Sequence, residues 1–136
     1  DIIGPKRKMT NVAVLGPVRK DTQVELSRSD CIALGVKAPL RESGDVAGSG
    51  QIRIEGPCGA IDIPQGVIVA HKHIHAEKLG LHDKQRVSVE AITERPVVFK
   101  DVIIRVSDNF RFRMHVDFDE ANGADISGFT LGKIIR

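Results

Sequence analysis

Apolar residues in this chain recur at every second position in short runs, and that period argues against a helical core. Ile52 and Ile54, then Ile61 and Ile63, flank Gly56-Pro57-Cys58-Gly59. The spacing predicts two short strands, each with one apolar face, joined by a tight turn. Val87 and Val89 alternate with Arg86, Ser88 and Glu90; Val97 to Phe99 and Val102 to Val106 bracket Lys100-Asp101; Phe110, Phe112, Met114 and Val116 share one parity. Many short strands at close spacing predict a mainly β chain, built as a barrel or a sandwich. Helical stretches are few and about two turns long. Ser29 is expected to cap a turn through Ala33-Leu34 that stops at Gly35, and Ala76 to Leu79 stops at Gly80, each glycine followed by an apolar residue as a Schellman ending prefers. These read as lids or plugs, not as a helical layer. Residues 38 to 50, with Pro39 and three glycines, read as a longer loop. Turn composition at Pro64-Gln65-Gly66 marks a break between halves, giving domains 1–66 and 67–136.

The 136 residues amount to one ordinary domain or two small ones, and 41% hydrophobic content is enough for a core. Apolar runs such as Val67 to Ala70 fall far short of the roughly 20 residues of a membrane-spanning helix. The chain opens at Asp1 without a Met, as an incomplete or processed chain would, and continues into Lys6, Arg7 and Lys8 instead of an apolar leader. Its 20 Lys and Arg against 18 Asp and Glu leave a charge of +2, and there is no Trp or Tyr to stack on bases. Nucleic acid is therefore not an expected partner. Cys31 and Cys58 are too few for a disulfide framework and point to a reducing compartment. Cys31 is expected to pack inside, and Cys58 to sit in the hairpin turn.

The most informative stretch is Ala70-His71-Lys72-His73-Ile74-His75. On an extended strand alternate side chains share a face, with Cα atoms about 7 Å apart. Two of these histidines can hold one metal ion. A third ligand must come from elsewhere, and His115 is the natural candidate. Three protein ligands with one open position is the pattern of a catalytic zinc. His71 has the right parity but ranks below the other two, and His82, in the polar loop after Gly80, reads as a surface residue. A histidine-rich strand with no ligand at all is the competing reading. A second constellation is Gly16-Pro17-Val18-Arg19-Lys20 with Gln23-Val24-Glu25. An Arg after a Gly-Pro bend can offer its planar fork to phosphate or carboxylate, or simply pair with Asp21 or Glu25; Arg41 carries the same ambiguity. No G-x-S-x-G, Walker A or G-x-G-x-x-G pattern occurs. A cupin, which also uses H-x-H with a later His, does not fit, because Glu77 follows His75 too closely and Gly66 is out of register.

Five ordered blocks carry a resemblance. Gly16-Pro17-Val18-Arg19-Lys20 through Thr22-Gln23-Val24-Glu25-Leu26-Ser27, then Arg41-x-Ser43-Gly44-Asp45, then Gly66-Val67-Ile68 leading to His73-Ile74-His75, then Arg105-Val106-Ser107-Asp108, and finally Met114-His115-Val116-Asp117-x-Asp119-Glu120-Ala121-Asn122 resemble the PduL-type phosphate acyltransferases, or phosphate propanoyltransferases. The resemblance implies two small β-barrels capped by short helices and a binuclear zinc site at the barrel interface. It further implies transfer of a propanoyl or acetyl group between coenzyme A and inorganic phosphate. By it, His73, His75 and His115 match the ligands of one metal, Glu25 a ligand of the other, and Arg19 the arginine that binds phosphate. The family's other basic-His-x-His segment, which completes the second site, does not occur in this sequence, so the resemblance covers the central and C-terminal parts. Lys72 stands where the family has an Arg.

The implied reaction, acyl-CoA plus phosphate to acyl-phosphate plus CoA, proceeds by direct attack of phosphate and needs no acyl-enzyme. That suits a chain with no activated Ser or Cys. The alternatives are a zinc-dependent thioester hydrolase, with water as nucleophile, and a non-catalytic metal-stabilised β-barrel. The setting implied is the bacterial cytoplasm or a microcompartment lumen, as in propanediol degradation, where further copies of the chain, shell proteins or neighbouring enzymes would be partners.

Overall fold

The hairpin that the isoleucine spacing predicts is present in the computed structural model, which describes residues 1–76 and 80–135. Strands β5 (Gly50–Gly56) and β6 (Gly59–Ala70) pair antiparallel, with Ile52 opposite Ile63, Ile54 opposite Ile61, and Gly56 opposite Gly59, so Pro57 and Cys58 form the turn. The chain divides into two units, Asp1–Ala70 and His71–Arg136. Among the described residues it is mainly β, with two curled half-barrel sheets and two short helices.

In the first unit β1 (Ile2–Ile3) pairs with β5, and β2 (Lys8–Met9) with β1. On the far end of β6, β3 (Val24–Glu25) and β4 (Leu40–Arg41) run parallel to it, with Val24 opposite Val67 and Leu40 opposite Val69. That end of β6 is covered on both faces, so Val67, Ile68 and Val69 are all buried and read as a continuous apolar run. Pro64-Gln65-Gly66 is no break between halves; it lies inside β6. Gly50 pairs with Val67 but Ile52 pairs with Ile63, so the extra residues of β6 are taken up as a bulge. Gly66 permits it, with φ +148 and no Cβ to strike the Thr22 carbonyl oxygen, which would lie 2.6 Å away. The expected loop 38–50 is likewise interrupted by β4.

Helix α1 (Arg28–Leu34) begins two residues earlier than Ser29 capping would place it. Its N-cap is Ser27, whose hydroxyl accepts from the Asp30 N–H at 3.1 Å while the Asp30 carboxylate accepts from the Ser27 N–H at 3.2 Å. That reciprocal capping box contributes about 1 kcal/mol. Gly35 ends the helix in the left-handed region, and Val36 N–H donates to the Cys31 carbonyl, a Schellman ending. Cys31 and Leu34 are buried in the first core, whereas Cys58 is exposed.

The second unit is centred on β9 (Val97–Val106), which pairs antiparallel with β8 (Arg86–Ile92) and parallel with β7 (His73–Ala76). At the sheet's edges, β10 (Arg113–His115) pairs with β7 and β11 (Leu131–Ile135) with β8. Lys100-Asp101 does not separate two strands. Val87 pairs with Val102 and Val89 with Phe99, so β9 has one residue extra, and Asp101 takes it up at φ 62. The predicted parity over Phe110 to Val116 is strand only at Arg113–His115. After β10 comes the short helix α2 (Phe118–Gly123), started by a second capping box between Asp117 and Glu120. The short helix expected over Ala76 to Leu79 extends outside the described residues. Among the described residues no helix is long and apolar enough to cross a membrane.

Candidate metal centre

Pleat parity and strand register together assemble three imidazoles. Ile74 and Ala76 of β7 are buried in the second core, and Met114 of β10 packs against it. Alternation then turns His73, His75 and His115 to the opposite face. The antiparallel register sets His115 directly across from His73 and one diagonal from His75. Ring centroids lie 4.9 Å apart for His73 and His75, 4.9 Å for His73 and His115, and 4.4 Å for His75 and His115. One ligand nitrogen from each lies within 4.8 Å of the others. His71 precedes β7 and has no part in the cluster, and His82 is exposed.

The hydrogen bonding suits a metal. Nδ1 of His73 lies 2.9 Å from the His71 carbonyl oxygen, which can only accept, so Nδ1 carries the proton and the lone pair is left on Nε2. Nε2 of His75 is buried without a hydrogen-bond partner, an arrangement that costs about 1 to 3 kcal/mol unless something satisfies the nitrogen. Zinc takes nitrogen ligands and keeps an open position when the protein supplies three, so the donor set fits that ion.

Burial pushes the His75 imidazole down from its ordinary value of 6.5 to about 4, with smaller contributions from His115, His73 and the Arg105 guanidinium. An unfolded chain takes up that proton near pH 6.5 and the folded one only near 4, so this group lowers stability as pH falls from about 6.5 to about 4 and has no effect above that window. In the metal-free protein the His75 ring resonances are therefore expected to titrate near pH 4 by NMR. A midpoint close to the ordinary 6.5 would contradict the dry environment described here.

In the first unit the second constellation is also drawn together. Glu25 is exposed on β3 because Val24 and Leu26 face the core. Its Oε1 accepts from Gln23 Nε2 at 2.6 Å and from Ser43 Oγ at 2.8 Å. Gly44 N–H donates to Gln23 Oε1 at 2.7 Å, and Arg19 Nη2 lies 3.4 Å from Ser43 Oγ. Ser43 thus links Arg19 to Glu25 in place of the direct pair that spacing allows. Arg41 lies 3.6 Å from Asp45. The linking roles of Gln23 and Ser43 were not apparent from the sequence, although both stand in its motif blocks; sequence separation hides that residues 23 and 43 meet. Lys72, just before β7, pairs with Glu120 at 3.2 Å, and that same carboxylate caps α2.

The model of the phosphate propanoyltransferase family matches residues 1–127. Three relatives carrying that name come from Clostridioides difficile, Thermotoga maritima and Lachnoclostridium phytofermentans. They are 46%, 50% and 49% identical, over 99%, 99% and 98% of this chain and 67%, 67% and 64% of their own lengths. The chain spans about two thirds of the length of these curated relatives. A match of this extent, in order and nearly end to end, places the chain in the phosphate propanoyltransferase family.

Proposed function

We propose that this chain carries the metal- and phosphate-binding residues of a phosphate acyltransferase that moves a propanoyl or acetyl group between coenzyme A and inorganic phosphate. The convergence of His73, His75 and His115 on one face, in a chain of this family, carries the reading. These three would hold one zinc, Glu25 would contribute to a second, and the complete active site would hold two. Zinc bound there supplies Lewis-acid polarisation of the thioester carbonyl and positive charge for the developing oxyanion.

The remaining work falls to the chain's own groups. Arg19 binds and orients phosphate through its fork, and Ser43, hydrogen-bonded to the Glu25 carboxylate, lies between the two side chains. A phosphate oxygen attacks the thioester carbonyl, the carbon–sulfur bond breaks, and CoA leaves as its thiolate; the reverse reaction retraces the same path. Neither cysteine is placed as a nucleophile, since Cys31 is buried in the first core and Cys58 lies in the hairpin turn. The same reading assigns the chain to the bacterial cytoplasm or a microcompartment lumen.

The test follows CoA thiol release from propanoyl-CoA by the full-length enzyme carrying this sequence. Release is expected to require inorganic phosphate and to yield an acyl-phosphate that hydroxylamine traps. Release at the same rate without phosphate would identify a thioester hydrolase instead.

A further inference from the structure

Phe110 lies flat against the His75 imidazole, with ring centroids 3.9 Å apart and planes 6° from parallel. It is half-buried and belongs to neither hydrophobic core. Its position is nevertheless fixed. Residues 107–110 form a turn in which Phe110 N–H donates to the Ser107 carbonyl at 3.1 Å and Asn109 N–H to the Ser107 hydroxyl at 3.3 Å. Asp108 and Asn109 at the centre are residues such turns favour. Ser107 N–H in turn donates to the carbonyl of Ala76, the residue after His75, at 3.1 Å. The turn is therefore fastened to the strand that presents the ligand. The Arg105 guanidinium, on the residue paired with His75, lies 5.9 Å from the Phe110 ring centre, within cation–π range.

We propose that Phe110 is a positioning residue for the metal centre: its face fixes the plane of the His75 ring so that Nε2 stays directed at the ion shared with His73 and His115. The inference rests on the metal reading above. An imidazole turns broadly about its last torsion, and each ligand ring needs something to hold it. His73 has its Nδ1 contact with the His71 carbonyl. For His75 a flat aromatic wall restricts the torsion, and it also keeps water from the nitrogen on that side. Outer-shell groups that orient a metal-bound histidine by hydrogen bonding typically change metal affinity by about 10- to 100-fold when removed, and a stacked ring that holds the same torsion is expected to act at the lower end of that range.

The experiment reconstitutes the metal-free 136-residue chain with zinc and measures affinity by chelator competition. Phe110→Ala should weaken zinc binding about tenfold or more, Phe110→Leu severalfold because it fills space without a flat face, and Phe110→Tyr should restore most of the affinity. With cobalt(II) as probe, the visible ligand-field bands should shift in Phe110→Ala and return in Phe110→Tyr, a readout that mere loss of packing does not produce. Should Phe110→Ala fail to fold, as judged by circular dichroism, Phe110→Leu decides in its place. Wild-type affinity in the deciding variant, with zinc lost on His115→Ala, overturns the role of Phe110 and leaves the metal reading standing. Undiminished zinc binding in His115→Ala overturns the metal reading itself.

Discussion

Replacing His75 with Ala is expected to lower the zinc retained by the chain by about one ion per molecule, measured by elemental analysis after dialysis. His75 is flanked by both other rings, at 4.9 and 4.4 Å, and its buried Nε2 has no other partner. Without it two imidazoles remain, one buried and one exposed. Two nitrogens do not meet the three-ligand minimum of a catalytic zinc, so the expected loss is nearly complete and not graded. His71→Ala provides the contrast. It removes a ring outside the cluster while keeping the backbone carbonyl that contacts His73 Nδ1, so zinc content should stay at the wild-type level. Unchanged zinc in His75→Ala would sink the ligand assignment, and equal loss in both variants would show that the strand, not the cluster, binds metal.

How far the site can be read from sequence follows from what period alone encodes. Alternation places His73 and His75 on one face because Ile74 between them is a core residue, and that is local information. The pairing of β10 with β7 is not local: it sets His115 opposite His73 across a separation of 42 positions, a register no periodicity reveals. The resemblance names His115 as a ligand where parity could only nominate it. Two misreadings share one cause. Pro64-Gln65-Gly66 and Lys100-Asp101 have turn composition and interrupt the pattern, and both proved to be bulges inside long strands. In β9 the inward residues change from Val97 and Phe99 to Val102 and Ile104, so parity flips across Asp101 while the strand continues. A parity flip is equally consistent with a turn, and only the cross-strand partner distinguishes them. The contact between Phe110 and His75 was hidden for a related reason: Phe110 shares parity with Met114 in the sequence, but it reaches His75 from a turn and not from a strand.

Arg19→Lys, in the full-length enzyme, is expected to raise the Michaelis constant for phosphate or lower turnover by about tenfold or more. Arg19 stands six residues before Glu25, after the Gly16-Pro17 bend, and Ser43 joins the two side chains. The guanidinium contact to Ser43, at 3.4 Å, is at the long limit for a hydrogen bond, so Ser43 holds Arg19 only weakly. An anion with two oxygens offers the fork a far stronger, bidentate partner. Lysine keeps the positive charge but cannot form the parallel pair. One charge-assisted hydrogen bond is worth about 1.5 to 3 kcal/mol, and about 1.4 kcal/mol is one decade in rate or affinity, which gives the expected size. The constant for acyl-CoA should move much less, because the proposed contact is to the nucleophile and not to the thioester. Steady-state kinetics with each substrate varied separately separate the two. A variant with a normal response to phosphate but weakened CoA binding would place Arg19 on the cofactor's own phosphates and overturn its assignment to the attacking one.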